Sequence, residues 1–247
     1  MSLKGYWEAT RAPRYSLTFA VPLFLLYEGL SLLISHSAVT GVRNGADVLL
    51  KTMFIAFGGR RGLLIFGALV CGISLWLIIR DLRRHPGPLR PAFIGAMLGE
   101  SIIYALLFGL VVSTLTGLLL RPLLAVAVGA QPGMGGLPLG TQLVVSLGAG
   151  IYEELLFRVL LVGGLTALGA ALGWRRTVAV GWAVGLSALI FSAFHYVGPF
   201  GDQLKLSSFT FRAIAGVAFS ALYVARGFGI TAWTHALYDV ALALLAG

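Results

Sequence analysis

Apolar runs about as long as a bilayer is thick recur seven times along this chain, at about 16–35, 62–80, 91–120, 141–172, 177–196, 207–225 and 228–246. A helix needs roughly 20 such residues to cross the hydrocarbon core. Of the 247 residues 58% are hydrophobic and 11% charged, against about 25% charged in a soluble domain, and the mean hydropathy is +0.93. The expected fold is therefore all-α and membrane-embedded, a bundle of about seven or eight transmembrane helices over residues 1–247, with no repeat, linker or soluble domain. The number turns on residues 46–59, which are short and charged: an eighth span if they cross, an interfacial or re-entrant segment if they do not.

The remaining features fit this frame. The first run, Leu17 to Ser35, is long, contains Glu28 and ends without a small-residue cleavage site, so it reads as a membrane helix rather than a signal peptide. Residues 1–15 form a basic, aromatic lead-in suited to a membrane interface. Cys71 is the single cysteine, which rules out an internal disulfide. The formal charge of +9 sits in short loops, at Arg60-Arg61, Arg80 to Arg90, Arg175-Arg176 and Arg226. That pattern orients a membrane protein and does not signal a nucleic-acid partner. A weakly charged Gly/Pro loop at 129–140 reads as the opposite face. Arginine outnumbers lysine 15 to 3 and Gly, Ala and Leu abound, which suggests a GC-rich bacterial genome and hence the bacterial inner membrane.

Chemistry has few places to reside. Five of the nine acids, Glu28, Glu100, Glu153, Glu154 and Asp239, fall within apolar stretches, where an ionisable group is a functional-site hypothesis by default. Glu153-Glu154-Leu155-Leu156-Phe157-Arg158 is the densest of these. On a helix Glu154 and Arg158 share a face, and Glu153 stands about 100° round from Glu154. This predicts a Glu154–Arg158 pair, with Glu153 left for another task. His195 ends the block Phe191-Ser192-Ala193-Phe194-His195 before the Gly198-Pro199 break, and His235 and Asp239 lie four apart on one face of the last helix. Converging in a bundle interior, these groups suit hydrolysis of a peptide bond. Glu153 can serve as the base, the histidines can hold water or donate to an oxyanion, and Asp239 can orient His235 or donate.

Three motifs in order, Glu153-Glu154-x-x-x-Arg158, Phe191-x-x-x-His195 and His235-x-x-x-Asp239, resemble the signature of the CAAX-protease and bacteriocin-processing family of intramembrane proteases. The resemblance covers about residues 141–246, and 1–140 match nothing beyond general hydrophobicity. It implies helices enclosing a polar, water-filled chamber, water activated by Glu153 and bound by His195 and His235, and a site supported by Glu154 and Arg158. The prenyl-processing branch has Asn where this chain has Asp239; the wider family pattern admits Asp. The substrate implied is a membrane-anchored or lipid-modified protein, of CAAX type or with a C-terminal anchor as in the sorting proteases that other bacterial members resemble. A metal-free mechanism follows from the same resemblance. The alternative is zinc on Glu153, His195 and His235, although no His-Glu-x-x-His helix exists.

Other readings compete. Midplane acids and histidines also suit a small transporter or proton-coupled carrier, and the family fold can serve as a non-catalytic scaffold or immunity factor. Glu153, Glu154 and Arg158 can form a purely structural ion network, and His235 and Asp239 an interhelical pair. Glu28 and Glu100 are expected to partner Arg212 or Arg158 or to line the chamber. Arg212 is expected to snorkel to the headgroups.

Overall fold

The computed structural model describes residues 3–35, 41–121, 137–198 and 201–246. Within them lie nine helices and no strand: α1 (Leu3–Arg11), α2 (Pro13–Ser35), α3 (Gly45–Gly58), α4 (Arg61–Arg84), α5 (Pro91–Leu120), α6 (Leu139–Ala171), α7 (Arg176–Phe194), α8 (Leu206–Arg226) and α9 (Phe228–Ala246). All but α1 and α3 are long and apolar enough to cross a membrane, which makes seven. Residues 129–136 of the Gly/Pro loop, and Pro199, lie outside the described residues.

Local chemistry sets the helix ends. Proline opens α2 and α5 at the first position, where a missing N–H costs nothing. Gly173 and Gly227, at φ +78° and +83°, close α6 and α8 in a backbone region that disfavours side chains. Large apolar side chains such as Leu33, Leu64, Leu106 and Leu110 point outward. Several hydroxyls turn inward and bond within their own helix: Ser101 to Met97 O, Thr116 to Val112 O, Ser146 to Gln142 O and Ser220 to Gly216 O. This apolar exterior is what a lipid-solvated bundle requires.

The structure decides the fate of residues 46–59. They fold as α3, whose 14 residues reach about 21 Å at 1.5 Å each, short of the roughly 30 Å core. The helix does not span. It turns at Gly59 (φ +56°) and packs back along α4, Phe54 against Phe66 at 5.2 Å between ring centroids. A Cβ on Gly62 would stand 2.0 Å from Phe54 O, so only glycine allows this hairpin. Ala46, Asp47, Leu50 and Lys51 form its buried face, and Phe57 points away.

α9 is the axis of the bundle, half buried along its length and packed on α2, α5, α6 and α8. Its approach to α6 depends on Gly150, where a Cβ would lie 2.4 Å from Ala232 O and 2.6 Å from Ala236 Cβ.

Two charge clusters tie the first helices to α8 and α6, and both correct the expectation for their acids. Glu100 pairs with neither Arg212 nor Arg158: its Oε1 receives Arg226 Nε at 2.6 Å, and its Oε2 receives Arg226 Nη2 and Tyr6 Oη, both at 2.8 Å. Glu28 receives Lys51 at 2.7 Å, Arg43 at 3.1 Å and the Tyr152 hydroxyl. Arg212 does not snorkel. It is 9% exposed, pairs with Asp202 and donates to Ser208 Oγ at 3.0 Å. Sequence distance hid these partners, for Glu100 and Arg226 are 126 residues apart.

Candidate active site

The segment of α6 that carries the two adjacent glutamates is wound more widely than an α-helix. Ala149–Glu153 and Leu155–Val162 are π-helical, a distortion found mostly in short stretches and frequently at functional sites. Glu153 and Glu154 are both buried, at 6% and 0% exposure. Gly148 and Gly150 precede them, and side chains at either position would collide with Tyr27 and Asn44 or with α9.

The pair expected from spacing is present: Arg158 Nε lies 3.2 Å from Glu154 Oε2. The Arg158 guanidinium sits over the rings of Phe191, at 4.5 Å, and Phe219, at 5.4 Å. Glu154 has a second role that spacing did not indicate. Its Oε1 accepts from Nδ1 of His235 at 2.7 Å, fixing the imidazole of α9, which also stacks on Phe219 at 4.3 Å. His235 Nε2 is thereby turned toward the two remaining acids, 3.5 Å from Asp239 Oδ2 and 4.0 Å from Glu153 Oε2. So Asp239 faces one nitrogen of His235, while Glu154 orients the ring through the other.

His195 follows the last turn of α7. Its Nδ1 must donate to Phe191 O, 2.8 Å away, because a carbonyl only accepts; in the neutral imidazole Nε2 then keeps its lone pair for the site. The ring stands within electrostatic range of Glu153. Asp202 N donates to His195 O at 2.9 Å, and the Asp202 carboxylate is held by Arg212. Arg212 thus braces the histidine's turn. Glu153, Glu154, Arg158, His195, His235 and Asp239 are all brought to one buried region by α6, α7 and α9.

One residue of this region had not been singled out. Asn44, directly before α3, donates from Nδ2 to Glu153 Oε1 at 2.9 Å. Glu153 Oε2 is buried and makes no hydrogen bond within the protein. The signal in the sequence was an Asn at a helix start and a Gly148-x-Gly150 pair beside the acids, neither of which specifies a partner 109 residues away. Among the described residues, no three His, Cys, Asp or Glu side chains are gathered as a cation's ligand set.

Fold and site together define a class: a polytopic helical membrane protein that sets a buried carboxylate, a buried imidazole and a half-buried one, side chains able to move protons, at the meeting of three helices. Residues 135–241 match the Rce1-like family model, described as type II CAAX prenyl endopeptidase Rce1-like. The match bears out the resemblance carried by the three motifs. No curated protein and no solved structure matches the chain.

Proposed function

We propose that the protein is a glutamate-dependent intramembrane endopeptidase of the bacterial cytoplasmic membrane. The supporting observation is Glu153: a buried carboxylate with one oxygen held by Asn44 and the other, Oε2, without a hydrogen bond and 4.0 Å from His235 Nε2. Leaving a buried charge underpaired costs stability, and a free carboxylate oxygen beside two imidazoles is what a general base for water needs.

In the reaction, Glu153 Oε2 takes a proton from water as the water oxygen attacks the carbonyl carbon. His195, with the Nε2 lone pair, accepts from the same water. His235, oriented by Glu154 and facing Asp239, stabilises the charge that grows on the carbonyl oxygen. The proton on Glu153 passes to the leaving nitrogen as the C–N bond breaks. Arg158 holds Glu154 in place. No step is routed through a metal.

The substrate in this reading is a membrane-anchored or lipid-modified protein. Asp239 stands where the prenyl-processing branch carries Asn, and two carboxylates facing the cleavage site suit a prenylated CAAX end less well than another anchored tail. The test compares the termini of membrane and secreted proteins in cells carrying wild type or Glu153→Gln at matched expression. Defined termini that vanish in the variant support the reading and name the substrate class. An unchanged set of termini with folded, abundant variant defeats it.

A further inference from the structure

Asn44 is 4% exposed and its carboxamide serves two partners. Oδ1 accepts from Ala46 N at 2.9 Å and caps α3; Nδ2 donates to Glu153 Oε1 at 2.9 Å. Capping accounts for the first contact alone, since Asp or Ser would cap as well as Asn. The amide caps through its oxygen and offers its nitrogen as a donor to a carboxylate, which an ionised Asp in the same place cannot do.

The surroundings fix where that amide points. Asn44 N donates to Tyr27 Oη at 3.0 Å, and Tyr27 donates onward to Asp47 Oδ2 at 2.6 Å. Arg43 bonds Glu28 and Asp47, and Lys51 bonds the same two acids. The start of α3 is therefore clamped to α2 by four charged groups. On the other side Gly148 makes room, for a Cβ there would stand 2.7 Å from Asn44 Cβ. α3, itself too short to cross the membrane, thus delivers its cap residue to the buried glutamate.

We propose that Asn44 is a positioning residue for Glu153: its amide fixes Oε1, and so turns Oε2 toward the water and the two histidines. This rests on Glu153 being the base. It also makes the first helices, which the family match does not reach, part of the working site.

The experiment uses the full chain with Asn44→Asp, Asn44→Ala, Glu153→Gln and the swap Asn44→Asp/Glu153→Gln. Two quantities are read: the rate at which Glu153-dependent termini appear in cells, per folded molecule, and the melting temperature of the purified protein. Asn44→Asp keeps the cap but sets a carboxylate against Glu153. It is expected to slow cleavage about 100-fold, a loss typical of a misplaced catalytic group. Asn44→Ala loses cap and donor without adding a charge, and the expected loss is about tenfold. A residue that merely caps gives the opposite order, with Asp close to wild type and Ala worst. The swap restores an amide-to-carboxylate bond with its polarity reversed, so its melting temperature should exceed that of Asn44→Asp while cleavage stays absent.

Wild-type cleavage by Asn44→Asp, or a melting temperature that the swap fails to recover, overturns the proposal. If Glu153→Gln itself leaves every terminus in place, the base reading falls and the positioning role with it. The melting temperatures then still report whether the two side chains touch, which keeps the two failures apart.

Discussion

Two arginine–glutamate pairs inside this protein differ in how completely they are satisfied. At Arg226 and Glu100, every guanidinium nitrogen and both carboxylate oxygens have partners: Arg226 reaches Glu100, Trp7 O and Thr10 Oγ1, and Tyr6 completes the acid. The Trp7 ring covers the guanidinium at 4.4 Å. At Glu153, Glu154 and Arg158 the account stays open. Glu153 Oε2, Arg158 Nη1 and the neighbouring Thr234 Oγ1 are buried without hydrogen-bond partners. A closed cluster is a clasp that pins α1, α5 and α8. An open one retains unmet polar capacity at a cost in stability, and such costs concentrate where function requires them.

The largest effect that separates the two clusters is expected from Glu153→Gln. General-base removal should slow cleavage by about 10²–10⁴, with a melting temperature unchanged or raised, because Asn44 can still donate to the Gln oxygen. A variant that fails to fold would instead place Glu153 with the clasps.

Next come the two arginines. Arg158→Leu strands the buried Glu154, at about 3–5 kcal/mol, and Arg226→Leu strands the part-buried Glu100 at less, each visible as a lower melting temperature. Cleavage per folded molecule should persist for Arg226→Leu and collapse for Arg158→Leu, which loses the support of Glu154. Equal residual activity would erase the distinction.

Smaller effects test the packing that brings α6 and α9 together. Gly150→Ala puts a Cβ 2.4 Å from Ala232 O, and the forced separation should cost about 1–3 kcal/mol and slow cleavage by shifting His235 from Glu153. Gly163→Ala, where a Cβ meets nothing within 4 Å, should change melting by no more than the roughly 1 kcal/mol that Ala gains over Gly in a helix. A larger loss at Gly163 than at Gly150 would contradict the close approach of the two helices.

Much of this was legible beforehand. Seven long apolar runs became seven helices able to cross a membrane, because in lipid the backbone leaves no other economical conformation for such runs. The Glu154–Arg158 pair was legible because four-residue spacing on a helix is local geometry. The second partner of Glu154, His235, was not, because it comes from a helix 81 residues further on. Glu28 and Glu100 were assigned wrong partners for the same reason: local spacing leaves many distant arginines equally eligible.

The sequence by itself determined the class of fold, the family motifs and the set of groups that can do chemistry, since hydrophobic length and short-range spacing are properties of the chain taken in order. Only the tertiary structure decided that α3 stops short of crossing, that Gly148 and Gly150 let neighbouring elements come within contact of the acids, and that Asn44 meets Glu153. Those facts depend on how helices pack, and packing is fixed by close contact between residues that the sequence keeps far apart.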